Sequence, residues 1–311
     1  DVTYYNAKTM NQTFNPELPV GEYARIYIQT GAVRNQGLEL ALNYNNTWKD
    51  FTWNTGVTYS MNKNKILTLA DNAINPITGE KFSISSLNMG GLGSTRFILK
   101  EGGSMGDIYS LMDLKRDANG AVYIDENNSV VTESLEANNY IKLGSVLPKG
   151  NLAWRNNFSW KNINVAFLVS ARLGGVVFSR TQAVLDNFGV SEASAAARDK
   201  GYVSVNGNDR VNPEGWYSVV AGGTAVPQYY IYSATNIRLQ EASIGYTIPR
   251  KWLGNVCDIK VSLIGRNLWM IYNKAPFDPE SVASTDNFYQ GIDYFMMPSL
   301  RNIGFNLSFK F

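Results

Sequence analysis

The chain has 311 residues, and its 28 basic and 26 acidic side chains leave a net charge of +2. This balance gives no electrostatic basis for binding nucleic acid, and no block of like charge suggests a polybasic membrane anchor. The absence of histidine excludes Ser-His-Asp triads, Cys-His dyads and His-ligated zinc. The single cysteine, Cys257, cannot form an intrachain disulfide, and we interpret it as an ordinary semi-apolar residue.

The most regular pattern along the chain lies in two hairpins. Apolar residues occupy every second position in residues 38–61 and again in residues 152–173. A period of two indicates strands with one apolar face. The residues between the two arms of each hairpin, Lys49–Asp50 and Lys161–Asn162, are polar and predict short turns.

Further strands are predicted towards the end of the chain. Residues 238–248 and 259–266 continue the same alternation, and a change of parity between Leu239 and Glu241 predicts a β-bulge. The last strand covers residues 302–311, and three weaker candidates are residues 2–12, 95–101 and 107–115. Together these segments predict about ten strands.

Charge separates the two faces of these strands. In the strands with the clearest alternation, every charged residue falls opposite the apolar set: Glu39, Arg155, Arg172, Lys260, Arg266 and Lys310. A soluble β-sandwich separates its faces in the same way, so this pattern leaves two fold classes open.

The lengths of the connections favour one of these fold classes. Counted back from the last strand, short connections at residues 49–50, 102–105, 161–162 and 249–258 alternate with long segments at residues 63–94, 116–150, 176–232 and 269–299. Outer-membrane barrels have short periplasmic turns, long extracellular loops and girdles of aromatic residues. Eight aromatic residues fall at the short-turn end: Trp48, Phe51, Trp53, Phe158, Trp160, Trp252, Phe309 and Phe311. The sequence therefore predicts an all-β transmembrane antiparallel β-barrel, with a soluble carbohydrate-binding β-sandwich as the alternative.

The last strand carries a second feature of such barrels. With Asn302 as the polar residue, its apolar positions fit the polar-x-Gly-x-x-apolar-x-apolar form of the terminal signal that the barrel assembly machinery recognises. We predict that the assembly signal comprises Gly304, Leu307, Phe309 and Phe311. Outer-membrane lipid is expected to receive the last two side chains.

Several motifs, in order along nearly the whole chain, resemble the SusC/RagA-type TonB-dependent outer-membrane transporters. They include "GAVRNQGLELAL", "EGGSMGDIYSL", "PKGNLAWRNNFSWKNINVAFLVSARLGG", "NIRLQEASIGYTIPRKW", "VSLIGRNLWMI", "FDPE", "YQGIDY" and "GFNLSFKF". The resemblance implies a barrel of about 22 strands in the bacterial outer membrane. It further implies a plug domain inside the barrel, a SusD-like surface lipoprotein as its lid, and energy from TonB. Residues 1–311 are then expected to be the C-terminal part of the barrel, with the plug and the earlier strands outside this chain.

The function that the resemblance implies is gated import of a nutrient. The first expectation for the cargo is an oligosaccharide or other glycan fragment, and the second is a peptide. A structural or adhesive outer-membrane barrel is the alternative outside transport. No enzyme is predicted, because no carboxylate pair lies in a sequence context that would raise the pKa of one partner.

The long segment at residues 176–232 is rich in aromatic residues. Such side chains stack on sugar rings, pack against a protein lid or pack a loop on itself. Four are expected to contact substrate or lid, namely Trp216, Tyr217, Tyr229 and Tyr230. Within this segment, residues 183–201 predict a short helix whose apolar stripe consists of Val184, Leu185 and Phe188.

Two further sets of charged residues are candidates for binding. Arg155, Arg172 and Arg266 are expected to face the lumen and to pair with acidic residues of the plug, with cargo contact or hydration as alternatives. Two acidic segments, 117–126 and 278–293, lack the spacing of an EF-hand. No metal and no cofactor is therefore predicted, and calcium in these extracellular loops is the minor alternative.

Overall fold

The computed structural model describes residues 1–15, 27–75, 78–223, 225–254, 256–284 and 289–310. Strands dominate this part of the chain. The three α-helices, α1 (Arg180–Asn187), α2 (Glu192–Lys200) and α3 (Pro213–Val220), all lie in one connection. In the described ranges, no helix is both long enough and apolar enough to cross a membrane.

Twenty-one strands follow one another along the described chain. They are β1 (Val2–Phe14), β2 (Ile28–Trp48), β3 (Phe51–Thr68), β4 (Ala70–Ile74), β5 (Lys81–Ile84), β6 (Ser86–Leu92), β7 (Thr95–Lys100), β8 (Asp107–Ser110), β9 (Met112–Leu114), β10 (Thr132–Ser134), β11 (Ile141–Ser145), β12 (Gly150–Trp160), β13 (Ile163–Leu173), β14 (Val176–Ser179), β15 (Val203–Val205), β16 (Asp209–Val211), β17 (Ile231–Ser233), β18 (Asn236–Ile248), β19 (Asp258–Asn273), β20 (Ile292–Asp293) and β21 (Asn302–Lys310). Short 3₁₀ helices lie at Ala137–Asn139, Pro227–Tyr230 and Arg250–Leu253.

Eight of these strands form the main sheet, in the order β1-β2-β3-β12-β13-β18-β19-β21. Every neighbouring pair in it is antiparallel. Both predicted hairpins, the three strands predicted in the last quarter of the chain and the weaker candidate at residues 2–12 all lie in this sheet. The predicted bulge is also present, because Gln240 has no partner residue in either neighbouring strand.

The other two weak candidates do form strands, but outside the main sheet. Strands β7 and β8 belong to a separate sheet of order β11-β8-β7-β6, and β9 pairs with β10. The turn between β7 and β8 lies against the far end of β3, where the Ile66 N–H donates to the Gly103 carbonyl at 2.8 Å. The prediction that residues 102–105 form a short turn of the main sheet is therefore wrong. Alternation predicts a strand but not the strand with which it pairs. Because these two segments pair elsewhere, the main sheet holds eight strands in the described ranges rather than about ten.

One face of the main sheet, which we call the apolar face, carries continuous rows of apolar side chains across neighbouring strands. In one row, Ile244 lies opposite Leu263, which lies opposite Phe305. All three are exposed, and Phe305 is 77% exposed. Rows of this size are rare on a surface that faces water. The opposite face, which we call the charged face, carries the charged residues of the strands.

Aromatic side chains collect at the two-residue turns, as the sequence predicts. Trp48 stacks on Phe51 with ring centroids 6.0 Å apart, and Phe158 stacks on both Phe51 and Trp53 at 6.2 Å. The turns themselves are tight, since Lys49 and Lys161 adopt left-handed φ values of 51° and 52°. Such short turns hold neighbouring strands in register.

The apolar face also contains polar side chains, and aromatic rings use them as hydrogen-bond partners. The Trp53 indole N–H donates to the Asn156 side-chain oxygen at 3.1 Å, and the Trp154 indole N–H donates to the Thr55 hydroxyl at 3.1 Å. Asn156 is fully buried. Because both indole N–H groups are satisfied within the sheet, both rings present carbon to their surroundings.

The apolar face can be tested by placing a charge on it. If the apolar face contacts lipid, as the sequence predicts, Leu307→Arg should block accumulation of the protein in the membrane, since Arg costs about 2 to 4 kcal/mol at the bilayer midplane. The matched control is Asn306→Arg, on the charged face of the same strand opposite Ser262. The measurement is the amount of heat-modifiable protein in purified outer membranes. Equal amounts of the two variants would contradict the assignment of the faces.

Candidate functional site

The long connections pack together at the end of the main sheet opposite the two-residue turns. We call the described residues of 69–149, 174–235 and 274–301 the loop body. Its hydrophobic core draws on all three connections and includes Phe97, Val146, Phe178, Val220 and Ile292. The three connections therefore share one hydrophobic core over the end of the sheet.

Local sequence signals define the helices of the loop body. The Ser179 hydroxyl accepts the Gln182 N–H at the start of α1, and the Ser191 hydroxyl accepts the Ser194 N–H at the start of α2, both at 3.0 Å. Asn212 caps α3 by accepting the Glu214 N–H at 2.9 Å. These are the side chains that helix N-caps prefer, because they satisfy backbone donors left free at a helix start.

The single helix predicted for residues 183–201 is two helices. The break follows Asn187, and Gly189 within it has a φ of 67°. Phe188 lies beyond the end of α1 and is 73% exposed. The prediction that Phe188 completes an apolar stripe is therefore wrong, because the chain leaves the helical path before reaching it.

Tyr230 lies inside the core of the loop body. It is 2% exposed, and its hydroxyl donates to Asp186 Oδ2 at 3.0 Å. Asp186 Oδ1 accepts a second hydrogen bond from Gln182 Nε2 at 2.8 Å. Burial, and secondarily the Asp186 carboxylate, raise the pKa of Tyr230. The prediction that Tyr230 contacts substrate or lid is corrected to internal packing, because a ring at this depth has no surface to offer.

The other three predicted contact residues lie nearer the surface. Trp216 packs on the core and meets Tyr229 edge to face, with centroids 5.2 Å apart. Tyr229 is exposed, and Tyr217 is half-buried. Burial, and secondarily the charge of Asp186, raise the pKa of Tyr217, so its phenol stays protonated at neutral pH. Contact with substrate or lid remains a prediction for these three residues.

The three predicted lumen arginines lie on the charged face, each in a different setting. The Arg172 guanidinium donates to the Val146 carbonyl at 2.7 Å and so ties the main sheet to the loop body. Arg266 Nε forms an ion pair with Glu241 Oε2 at 3.0 Å within the sheet. Arg155 is exposed and has no ion-pair partner among the described residues. Pairing with a plug remains a prediction.

An ion-pair cluster, which we call the Arg238 triad, consists of the buried Arg238–Asp278 pair and the more exposed Glu280. Arg238 in β18 is 4% exposed, and one of its terminal nitrogens lies 3.0 Å from Asp278 Oδ1 and 3.1 Å from Glu280 Oε2. Its Nε donates to the Asn236 side-chain oxygen at 3.1 Å. The triad thus fastens the connection at residues 274–301 to the main sheet.

Arg238 was not among the predicted site residues. Both carboxylates of the "FDPE" motif belong to the acidic segment 278–293, for which the sequence offers only calcium as a minor alternative. The sequence signal for this ion pair is Arg238 near the bulge of its strand, together with the acidic connection at residues 274–301. The pairing itself depends on how that connection folds back, which alternation does not encode.

Hydrogen bonds and charge keep Asp278 ionised. Burial acts to raise the pKa of this carboxyl, but hydrogen bonds from Ser299, Glu280 and Arg238, together with the Arg238 charge, outweigh burial and lower it. A carboxylate with a lowered pKa contributes stability above its ordinary pKa, and this contribution is lost as the pH falls through the lowered value. Asp278 is therefore ionised at neutral pH.

The acidic segments use their carboxylates to hold turns. Asp117 Oδ1 accepts the N–H groups of Asn119 and Ala121, and Asp125 Oδ1 accepts those of Asn127 and Ser129. In the described parts of the chain, no group of three or more His, Cys, Asp or Glu residues is arranged to hold a metal ion. Glu126 lies next to the second turn, whereas Asp286 falls outside the described residues.

The predicted assembly signal lies on the last strand of the main sheet. Leu307 and Phe309 are exposed on the apolar face, opposite Val261 and Ile259. Gly304 lies opposite Ile264 on the charged face. Phe311 falls outside the described residues. Recognition by the assembly machinery remains a prediction.

Comparison with known proteins identifies the relatives of this chain. No family model matches the sequence. It is 26% identical over 348 aligned residues to the TonB-dependent receptor P3 of Formosa agariphila, covering 99% of this chain and 32% of that protein. It is 27% identical over 335 residues to the TonB-dependent receptor P26 of the same organism, covering all of this chain and 32% of that protein. The chain thus spans about a third of the length of these relatives.

Solved structures show the same fold. Over 100% of this chain, the RagAB peptide importer superposes with TM-scores of 0.71 in its closed-closed state and 0.70 in its open-open state, at 16% identity. The chain covers 33% and 32% of those chains. The resemblance to SusC/RagA-type TonB-dependent transporters is confirmed. The main sheet is part of a transmembrane β-barrel wall, and the soluble-sandwich alternative is wrong.

The role of the Arg238 triad in this chain can be tested by removing its cation. We expect Arg238→Met to leave the buried Asp278 carboxylate without its cation and to destabilise the attachment of residues 274–301 by about 3 to 5 kcal/mol. The measurement is hydrogen exchange of this connection in the detergent-solubilised full-length protein.

The matched control for this variant is Arg266→Met, which breaks an exposed ion pair worth about 0 to 1 kcal/mol. It should leave exchange in residues 274–301 unchanged. Equal protection in both variants would show that the triad does not hold the connection in place.

Proposed function

We propose that this protein imports a nutrient across the bacterial outer membrane with energy from TonB. The observation that carries the proposal is the alignment of the whole chain with TonB-dependent receptors, together with its superposition on a transporter barrel. Residues 1–311 are, in this proposal, the C-terminal part of the barrel.

The geometry of the main sheet supports a position in lipid. Strands β12 and β13 have 11 residues each, which suits a tilted strand crossing a bilayer. The apolar face would contact lipid chains, whereas the charged face would line a hydrated lumen. Outer-membrane lipid is thus the proposed surrounding of residues such as Leu263 and Phe305.

The edges of the main sheet support a larger barrel. Strands β1 and β21 each pair on one side only among the described residues. In lipid, an open edge leaves N–H and C=O groups without partners at a cost of several kcal/mol each. We propose that further strands of the full-length protein close the barrel and that its plug domain occupies the lumen, where exposed Arg155 is available to acidic plug residues.

The loop body supports a role at the extracellular mouth. It presents accessible aromatic and polar side chains on a packed core, which suits contact with cargo and with a SusD-like lipoprotein lid. Glycan cargo is favoured over peptide by the mixture of exposed rings and planar polar groups. The RagAB structures are described as a peptide importer, and peptide is therefore the second candidate.

The proposed import can be tested by genetics. Deletion of the gene should abolish growth on at least one oligosaccharide, and a plasmid copy should restore it. Depletion of TonB should have the same effect as deletion, because lumen opening requires energy transmitted to the plug. Unchanged growth in both strains on every oligosaccharide and peptide supplied would overturn the proposal, and growth that survives TonB depletion alone would indicate a passive pore.

The proposed lid contact can be tested at Tyr229. Tyr229→Ala should lower recovery of the SusD-like lipoprotein in pull-downs about twofold to tenfold, as expected for one lost aromatic contact. Tyr123→Ala is the matched control, because Tyr123 and Tyr229 are both 39% exposed and lie on different parts of the loop body. Equal recovery with both variants would remove Tyr229 from the lid contact.

A further inference from the structure

A cleft of about 540 Å³ lies between the three helices of the loop body. This volume falls within the range of about 300 to 1,000 Å³ found for small-molecule sites. The end of α1 contributes Asp186 and Asn187, and Phe188 follows directly after it. Helix α2 contributes Arg198, and α3 contributes Glu214 and Tyr217. We call this opening the three-helix cleft.

The floor of the three-helix cleft is rigid. The Asp186 side chain is buried and fixed by hydrogen bonds from Gln182 and Tyr230. Tyr217 stands beside it on the first turns of α3, whose start is capped by Asn212. A fixed polar floor lowers the entropy that binding must overcome.

The rim of the three-helix cleft carries polar side chains with unused hydrogen-bonding capacity. The Glu214 carboxylate and the Asn187 amide are exposed, and neither has a hydrogen-bond partner among the described residues. Arg198 donates through one terminal nitrogen to the Gly189 carbonyl, which orients its guanidinium. Each of these groups is planar and offers two neighbouring hydrogen-bonding atoms.

An uncovered aromatic ring borders the same opening. Phe188 is 73% exposed and makes no ring contact with another aromatic residue in the described structure. A single exposed apolar residue needs no explanation by itself. Here, however, it stands beside planar polar groups that can each engage two adjacent hydroxyls, and a ring face packs on the C–H side of a sugar.

From this combination we propose that the three-helix cleft binds an uncharged saccharide unit of the cargo. This inference rests on the proposed import function and assigns it a binding site. The cleft carries two carboxylates, Asp186 and Glu214, against one guanidinium, Arg198, so its charge disfavours sulfated and acidic sugars. Hydroxyl groups suit both kinds of partner, because they donate to carboxylates and accept from the guanidinium.

A peptide fits the three-helix cleft less well. Extended peptides gain affinity by adding to an exposed strand edge, through backbone hydrogen bonds. The lining of this cleft comes from helices and their ends, where the backbone groups are mostly paired within the helices. Recognition here must therefore come from side chains.

The test uses the purified full-length transporter in detergent and isothermal titration calorimetry. The probes are maltohexaose, cellohexaose, laminarihexaose, xylohexaose and mannohexaose, with a sulfated oligosaccharide and tetra-alanine for comparison. We expect at least one uncharged oligosaccharide to bind. Phe188→Ala and Glu214→Gln should each weaken this binding about twofold to tenfold and slow its uptake at unchanged membrane abundance.

Two matched controls lie next to the three-helix cleft but outside it. Val190→Ala removes an apolar side chain of similar exposure to Phe188, and Glu192→Gln removes an acidic side chain from the first turn of α2, as Glu214→Gln does from α3. Both should bind and import as the wild type does.

Three results would overturn the cleft assignment: no uncharged oligosaccharide binds, only tetra-alanine or the sulfated probe binds, or the Phe188 and Glu214 variants bind like the wild type. In each case, TonB-dependent uptake by the wild-type cells would leave the proposed import function standing. The import proposal itself would be overturned only by a separate result, in which gene deletion and TonB depletion both leave uptake unchanged.

Discussion

Backbone hydrogen bonding in lipid is the constraint on which the rest of this structure depends. A strand that crosses a bilayer must pair every N–H and C=O with a neighbouring strand, because no water is present to replace them. Seven antiparallel pairings satisfy this requirement inside the main sheet, counted over the described residues. The same constraint explains the two-residue turns, which keep successive strands adjacent, and it confines irregular backbone to the ends of the strands, outside the hydrocarbon region.

Specific side-chain contacts attach the loop body to the main sheet. Two contacts do this from the charged face: Arg172 donates to the Val146 carbonyl, and Arg238 pairs with Asp278 and Glu280. Both arginines lie near the same end of neighbouring strands, where Arg172 is directly opposite Asn236. A charge withdrawn from water is unfavourable without partners, so each arginine favours the placement of the connection that supplies its partner.

Much of the main sheet could be predicted from alternation, since lipid on one side and water on the other impose opposite polarity on successive residues. The bulge at Gln240 was also predictable from alternation, because one extra residue moves the apolar positions that follow it from odd to even numbers. Strands β7 and β8 were misplaced because they alternate like wall strands while packing into the loop body. The helix at residues 183–201 was misread because Gly189 permits a break that apolar spacing does not reveal.

The sequence by itself determined which face of each wall strand is apolar, where the two-residue turns lie and that aromatic rings collect beside them. These features depend on residues close together in the chain. Only the tertiary structure decided that Tyr230 is buried on Asp186, that Arg238 receives the "FDPE" carboxylates and that three helices enclose a cleft beside Phe188. Each of these depends on which distant segments meet, and that is settled by packing of the whole loop body rather than by any local pattern.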